Sequence, residues 1–290
     1  MEARFRIAVI GLGLIGGSMA YALRGFKNAE IIGCDINPET RKLAIKKKAV
    51  DEAVDKTADA IKDADLIILC TYPEYICDII KDNRENFKAG SVITDVCGIK
   101  GQFAEELCKN LPQDVEYVGG HPMAGTENSG FEYASAEMFW MSGFIITPME
   151  GASQKSIDLV YEMAHYIGAT RITMASFKEH DSVIAYTSDL MHISASALCL
   201  DYNENMNRAY TAGAFRDCTR IAKINPTLWT ELFLANRDNV VCEIDRYIGS
   251  LTKLRDAIEK NNGKTLKELL GIVAKNKEIM QNKEPEVLKK

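Results

Sequence analysis

Phe5-Arg6-Ile7-Ala8-Val9-Ile10, followed at once by Gly11-Leu12-Gly13-Leu14-Ile15-Gly16, decides the fold class. The first six residues are short, apolar and β-branched, the composition of a buried strand. Gly17-Ser18-Met19-Ala20-Tyr21-Ala22-Leu23 then continues with helical character. Strand, GxGxxG and helix in succession lift the motif above a chance match. Gly11 allows the tight turn, Gly13 lets backbone approach a pyrophosphate, and Gly16 lets the helix pack close to the strand. The amides that open the helix, from Leu14, Ile15 and Gly16, then face an anion. A second strand, Glu30-Ile31-Ile32-Gly33-Cys34, ends in Asp35. An acid about 20 residues past the glycines accepts bonds from both ribose hydroxyls of NAD and repels the extra phosphate of NADP. Arg41 is the nearby residue that favours NADP.

Outward from this unit the first half alternates strands and helices. Residues 65–70, 91–96, 116–118, 144–147 and 171–174 read as strands, and 154–167 as a helix between the last two. That order implies an α/β chain with a Rossmann-type, doubly wound, mostly parallel sheet. Ligands in such sheets sit beyond the carboxyl ends of the strands. Thr71, Asp95 and His121 all fall just after predicted strands and line one crevice in this reading. After about residue 175 the strands stop. Ser176-Phe177-Lys178-Glu179 is a capping box, and the rest reads as helices, broken near Asn225-Pro226. The expected domains are 1–175, dinucleotide-binding, and 176–290, all-helical.

At 290 residues the chain has room for two medium domains. A net charge of −6 excludes a global basic field for nucleic acid or membrane, so an anionic substrate needs local Arg or Lys. No leader is expected, because residues 1–6 run straight into the first strand, and no apolar stretch reads as a membrane span. The eight cysteines form no CxxC and no zinc-like spacing with histidine, so no metal site is expected, and a reducing cytoplasm is the natural compartment.

The chemistry starts at Gly119-Gly120-His121-Pro122-Met123-Ala124-Gly125-Thr126-Glu127. A histidine locked beside a proline and flanked by glycines is a positioned proton acceptor. A redox cofactor plus a positioned base is what oxidation of an alcohol carbon needs. In the helical part, Asp181, Ser188 and His192 are spaced by seven and four and so share one helix face. His192 is either directed into a cleft or a core histidine bonded to Ser188 or a backbone carbonyl. Arg216 and Arg220 lie in an apolar segment, where a guanidinium either clamps a carboxylate or pairs with Asp217. Trp229 is either a core aromatic or a pocket wall.

These pieces together resemble the prephenate dehydrogenase family, with its arogenate and cyclohexadienyl relatives. The resemblance rests on Gly120-His121-Pro122-Met123-Ala124-Gly125-Thr126-Glu127, on Phe215-Arg216-Asp217-Cys218-Thr219-Arg220-Ile221-Ala222 with Trp229 downstream, and on His180-Asp181 with Tyr186-Thr187-Ser188 and His192. It implies NAD-dependent oxidative decarboxylation of prephenate to 4-hydroxyphenylpyruvate, in tyrosine biosynthesis. His121 would take the hydroxyl proton, Arg220 clamp a carboxylate and His192 bond the other polar end. Thr126, Glu127 and Trp229 would shape the pocket, and Gly11, Gly13, Leu14, Ile15, Gly16, Asp35 and Thr71 would hold NAD. It also implies a homodimer through the helical domain, and no room for a fused mutase or regulatory domain.

Two positions depart from the family pattern. Gly98 stands where many members carry a serine, so any help to His121 comes from another group or a water. Asp189 stands where many carry a histidine, and a carboxylate there would favour an amine-bearing substrate such as arogenate. The alternatives are a β-hydroxyacid dehydrogenase type of oxidoreductase, with Lys178 as its candidate lysine, and a non-catalytic NAD sensor.

Overall fold

The computed structural model describes residues 4–126, 128–201 and 205–282. The strands are β1 (Arg6–Ile10), β2 (Glu30–Cys34), β3 (Glu52–Val54), β4 (Leu66–Leu69), β5 (Val92–Asp95), β6 (Glu116–Met123), β7 (Gly143–Pro148) and β8 (Arg171–Met174). The helices threaded between them are α1 (Leu14–Ala22), α2 (Pro38–Lys46), α3 (Thr57–Ile61), α4 (Pro73–Asp82), α5 (Gly101–Asn110) and α6 (Gln154–Tyr166). One sheet forms in the order β3-β2-β1-β4-β5-β6-β7-β8, parallel throughout except for the β6–β7 pair. The expected Rossmann-type, mostly parallel sheet is therefore present.

Its strands are apolar on both faces because both faces are covered. Ile7 and Val9 of β1 point into one core, with Met19, Ile31, Phe144, Val160 and Met163. Ala8 and Ile10, one residue out of phase, point into a second, with Ile61, Ile67, Ile76, Ile93 and Leu107. Each fully buried side chain of this size contributes roughly 1.5–3 kcal/mol.

Two strand readings need correction. β6 does not stop at Val118. Its parallel pairing with β5 ends at Ile93–Tyr117, and antiparallel pairing with β7 then carries it on, with His121 opposite Ile145. His121 is therefore on the strand rather than after it. Asp95 is likewise the last residue of β5 rather than a residue beyond it. β3, a short and partly exposed strand, was not expected.

Beyond the sheet lie α7 (Phe177–Ile184), α8 (Leu190–Leu200), α9 (Gly213–Thr219), α10 (Pro226–Ala235), α11 (Arg237–Glu259) and α12 (Gly263–Asn282). The capping box forms as read. Ser176 Oγ accepts from Glu179 N, and the Glu179 carboxylate accepts from Ser176 N. The chain condenses into two compact units, Met1–Ile184 with Lys223–Ala235, and Ala185–Ala222 with Asn236–Lys290. The sheet unit thus takes in α7 and α10, and α8, α9, α11 and α12 make the helical unit.

The shared-face reading of Asp181, Ser188 and His192 does not hold. Residues Ala185–Asp189 form a π-helical turn, which breaks the 3.6-residue period between them. Asp181 works in the sheet unit, and His192 in the helical one. The helical stretch Phe177–Leu200 is also long and apolar enough, by length and composition, to cross a membrane, contrary to the sequence reading. It carries three buried ionisable residues, His180, Asp181 and Asp189, which suit a protein interior better than lipid.

Candidate active site

The dinucleotide loop is built as its glycines require. Gly11 has φ +91°, and a Cβ there would lie 2.6 Å from the Cys70 carbonyl oxygen. A Cβ on Gly16 would lie 1.8 Å from the Gly11 carbonyl oxygen, so α1 can start this close to β1 only with hydrogen at that position. Gly13 caps α1 without a side-chain bond, and a Cβ there would meet nothing within 4 Å. The space above Gly13 is therefore open, at a helix N-terminus suited to phosphate. We predict opposite outcomes for two alanine variants. Gly13→Ala keeps its stability to within about 1 kcal/mol but loses dinucleotide affinity. Gly16→Ala loses both. Thermal unfolding alongside fluorescence titration with NADH distinguishes them.

Asp35 follows β2. Its Oδ2 accepts from Leu12 N at 2.9 Å and its Oδ1 from Asn37 N at 2.8 Å, so the carboxylate is fixed beside the glycine loop. Arg41 is turned back, its Nη1 donating to the carbonyls of Asp35 and Ile36 at 2.6 and 3.1 Å. Thr71, after β4, has a buried hydroxyl without a partner beside Gly11. Open amides, a fixed acid and a spare hydroxyl fit a dinucleotide.

His121 stands on β6 behind two glycines, and the structure shows why Gly120 is one: a Cβ there would lie 2.8 Å from the Asp95 carbonyl oxygen. Both backbone groups of Gly120 are held. Its N–H donates to Asp95 Oδ1 at 3.1 Å, and its carbonyl accepts from Lys100 Nζ at 3.0 Å. Asp95 and Lys100 form a buried ion pair at 2.8 Å, with neither side chain exposed. Tyr117 Oη and Cys97 N also donate to the Asp95 carboxylate. A charge pair this deep is tolerated because these bonds satisfy it.

The His121 ring meets a second histidine. His121 Nδ1 lies 2.8 Å from His180 Nε2, and His180 Nδ1 lies 2.7 Å from Asp181 Oδ1. Burial, then the nearby His180 and Lys100, hold His121 well below the ordinary histidine range. His180 is also lowered by burial, but its bond to Asp181 opposes the shift. The other nitrogen of His121, Nε2, faces Gly98. A Cβ on Gly98 would lie 3.7 Å from that nitrogen and 4.0 Å from Leu232 Cδ1. Gly98 thus leaves room beside Nε2, walled by α10, where a serine side chain would otherwise stand.

The structure brings Gly11, Gly13, Asp35, Thr71 and His121 into the sheet unit. Trp229, on α10, belongs to it too, half-buried against Phe233 with ring centroids 5.2 Å apart. Thr126 is exposed, its Oγ1 accepting from Asn128 N. Glu127 lies outside the described residues. His192 and Arg220 are in the helical unit. His192 Nδ1 donates to the Ile221 carbonyl at 3.2 Å, the backbone-carbonyl bond that the sequence had left as one alternative. Burial lowers His192, and the Arg220 charge adds to that. Arg220 is exposed, and among the described residues neither it nor Arg216 pairs with Asp217.

Asp189, read as a selector for an amine, is 2% exposed, and its Oδ2 accepts from Asn236 Nδ2 at 3.0 Å. That carboxylate serves the interior of the helical unit. Asp189→Asn is therefore expected to leave any prephenate-to-arogenate preference unchanged and to cost about 1–3 kcal/mol of stability. Parallel kinetics with both substrates and a urea melt check the two halves.

The sequence reading did not assign roles to Lys100, His180 and Asp181. His180-Asp181 had entered only as part of the resemblance. No local signal marked them: in α7 His180 and Asp181 stand among Lys178, Glu179 and Ser182, so the pair does not stand out.

A dinucleotide loop and a neutral histidine with one ring nitrogen left open define a class, the dinucleotide-dependent oxidoreductases. Residues 19–173 match the nucleotide-binding domain of prephenate dehydrogenase, and residues 176–272 its dimerization domain. A cyclohexadienyl dehydrogenase of Zymomonas mobilis subsp. mobilis is 34% identical over 269 residues, 90% of this chain and 91% of that protein. The crystal structure of the A. aeolicus prephenate dehydrogenase, in complex with hydroxyphenyl propionate and NAD+, superposes with a TM-score of 0.85 at 30% identity, over 96% of this chain and 99% of that one. The Synechocystis arogenate dehydrogenase does so with a TM-score of 0.81 at 25% identity, over 95% and 100%. The chain belongs to the prephenate dehydrogenase family.

Proposed function

We propose that this chain oxidatively decarboxylates prephenate to 4-hydroxyphenylpyruvate, carbon dioxide and NADH, a step of tyrosine biosynthesis. The observation that carries the reading is His121: neutral, bonded at Nδ1, and open at Nε2 beside Gly98. When bound, NAD supplies the hydride acceptor. The substrate hydroxyl bonds His121 Nε2 and gives up its proton there as the ring carbon loses hydride. The bond to the ring carboxylate then breaks to release carbon dioxide, its electron pair aromatises the ring, and the phenolate oxygen takes the proton back from the histidines to become the phenol, which makes the step effectively irreversible. The cofactor is held by the amides of Gly13, Leu14, Ile15 and Gly16, by Asp35 and by Thr71. The fixed Asp35, with Arg41 turned onto backbone carbonyls, supports NAD over NADP.

Arg220 is assigned as the carboxylate clamp and His192 as a hydrogen-bonding partner of the substrate. Within the helical unit, Arg220 directly precedes the residue whose carbonyl His192 bonds, which supports a joint role. Thr126, Glu127 and Trp229 are assigned to the pocket. In this reading residues 1–175 serve the cofactor, and 176–290 serve substrate binding and dimerisation. The match to a dimerization domain and the exposed Ile248, Leu251, Ile258, Leu270 and Val273 on α11 and α12 support a homodimer. Eight unpaired cysteines support a reducing cytoplasm.

The test is NADH formation by the purified protein with NAD, offered prephenate and arogenate in parallel. Turnover of prephenate is the expected result. Turnover of arogenate alone would move the activity to the amine-bearing substrate, in line with the Synechocystis neighbour. Silence with both, despite NAD binding, would overturn the reading.

A further inference from the structure

We propose that Asp181 and His180 are positioning residues that hold His121 as its Nδ1-protonated tautomer and draw positive charge away from it during turnover. The charge half of the proposal rests on the dehydrogenase reading above. The tautomer half does not.

One group in this chain of bonds has no choice of role. Lys100 N–H can only donate, and it donates to Asp181 Oδ1 at 2.8 Å. Lys100 immediately precedes α5, so the Asp181 carboxylate accepts at the start of that helix. An ionised carboxylate only accepts. His180 Nδ1, at 2.7 Å from the same oxygen, must then carry the hydrogen of that bond.

A neutral imidazole has one N–H and one bare nitrogen. With its hydrogen on Nδ1, His180 presents a bare Nε2 to His121. The 2.8 Å contact between the rings is a hydrogen bond only if His121 Nδ1 donates. His121 then has its single hydrogen on Nδ1, and its lone pair on Nε2. That is the nitrogen beside Gly98. The polarity set at Asp181 thus passes through two rings and selects the base atom. It also supplies, from the opposite side of the ring, the orientation that a serine at position 98 would otherwise help to give.

The same path carries charge. When the substrate O–H bond breaks, a bond from hydrogen to His121 Nε2 forms. The His121 Nδ1–H bond can then break as a His180 Nε2–H bond forms. The hydride goes to the bound dinucleotide, and no other proton is gained or lost. The resulting imidazolium is His180, whose bond to Asp181 offsets the Lys100 charge that both rings feel, rather than His121, which Asp181 does not bond. Burial lowers both rings, His121 the further, and the bond to Asp181 raises His180.

The first test needs no substrate. With 15N-labelled histidine, the protein has only four rings to resolve, and His121→Asn identifies one of them. Long-range 1H–15N spectra near neutral pH should show His121 protonated at Nδ1 and bare at Nε2. Protonation at Nε2 instead overturns the proposal, whatever the protein turns over.

The second test is Asp181→Asn, whose amide oxygen can still accept from Lys100 N and His180. We expect kcat to fall about 10–100-fold, a fraction of what loss of the base itself costs, with KM for NAD little changed. Without the carboxylate the relay is harder to protonate, so the acidic limb of kcat/KM should move to lower pH. A fall in kcat with an unmoved limb would mean a merely structural role and overturn the charge half. His180→Gln is the second variant, because its amide oxygen still accepts from His121 Nδ1. It should keep the His121 tautomer and lose a similar factor in kcat, and an unchanged kcat would overturn the charge half. Should the unmodified protein turn over neither substrate, the functional reading fails, and the spectra still decide the tautomer.

Discussion

His121→Asn lowers kcat by about 10²–10⁴-fold, the range for removal of a general base, and leaves NAD affinity close to that of the unmodified protein. Asparagine is the informative replacement. Its side-chain amide can donate to His180 Nε2 as the His121 ring does, so the neighbouring groups keep a partner. What it lacks is a basic nitrogen facing Gly98. The glycine loop follows β1, separated from β6 in the sheet order by β4 and β5, and among the described residues no hydrogen bond joins it to the His121 side chain. Stopped-flow or steady-state NADH formation gives kcat, and NADH fluorescence gives affinity. A variant that kept a tenth or more of the activity would remove His121 as the base. The pH profile adds a second condition. His121 and His180 are both held below 6.5, so the base stays neutral as pH falls through that value, and the acidic limb of kcat/KM should lie below it. Two rings that share a hydrogen bond titrate as a pair, so the limb belongs to the pair.

The parts of this arrangement legible in the sequence are those set by local chemistry. β1 and β2 could be read because β-branched residues bounded by glycine have few other uses, and the glycine spacing followed from backbone sterics at Gly11 and Gly16. The capping box at Ser176 was legible for the same reason, since its two bonds close within four residues. The second half of β6 was not. Gly119, Gly120 and Pro122 are poor strand formers taken singly, and distant partners, the pairing with β7 and the Asp95 and Lys100 bonds to Gly120, hold them extended. Helical spacing misled at Asp181 and His192 because a π turn intervenes. The His121–His180 contact joins residues 59 apart, so neither ring announces the other. Asp95, read as a crevice residue at a strand end, and Lys100, given no role, are five residues apart, yet both are among the most buried of the described side chains.

That buried pair carries the largest expected effect on stability. Lys100→Met keeps a chain of similar length and removes the ammonium. Asp95 then keeps its bonds from Tyr117 Oη, Gly120 N and Cys97 N but loses its counter-charge. The carbonyls of Cys97 and Gly120 lose a donor at the same time. Breaking one side of a buried pair typically costs about 3–5 kcal/mol, a large part of the total stability of an ordinary domain. We expect a loss of that size in urea unfolding, read from the midpoint at constant slope. Asp95→Asn in the Lys100→Met background removes the stranded charge and should recover part of the loss, so the two changes together cost less than their sum. A strictly additive double variant would show that the ions do not act as a pair. Activity gives an independent reading of the same bonds. Asp95 and Lys100 grip both backbone groups of Gly120, the residue that delivers His121, so the single variant should lose turnover even at temperatures where it stays folded. The glycine that lets β6 pass close to Asp95 and the ion pair that fastens it there are two parts of one device for placing the base.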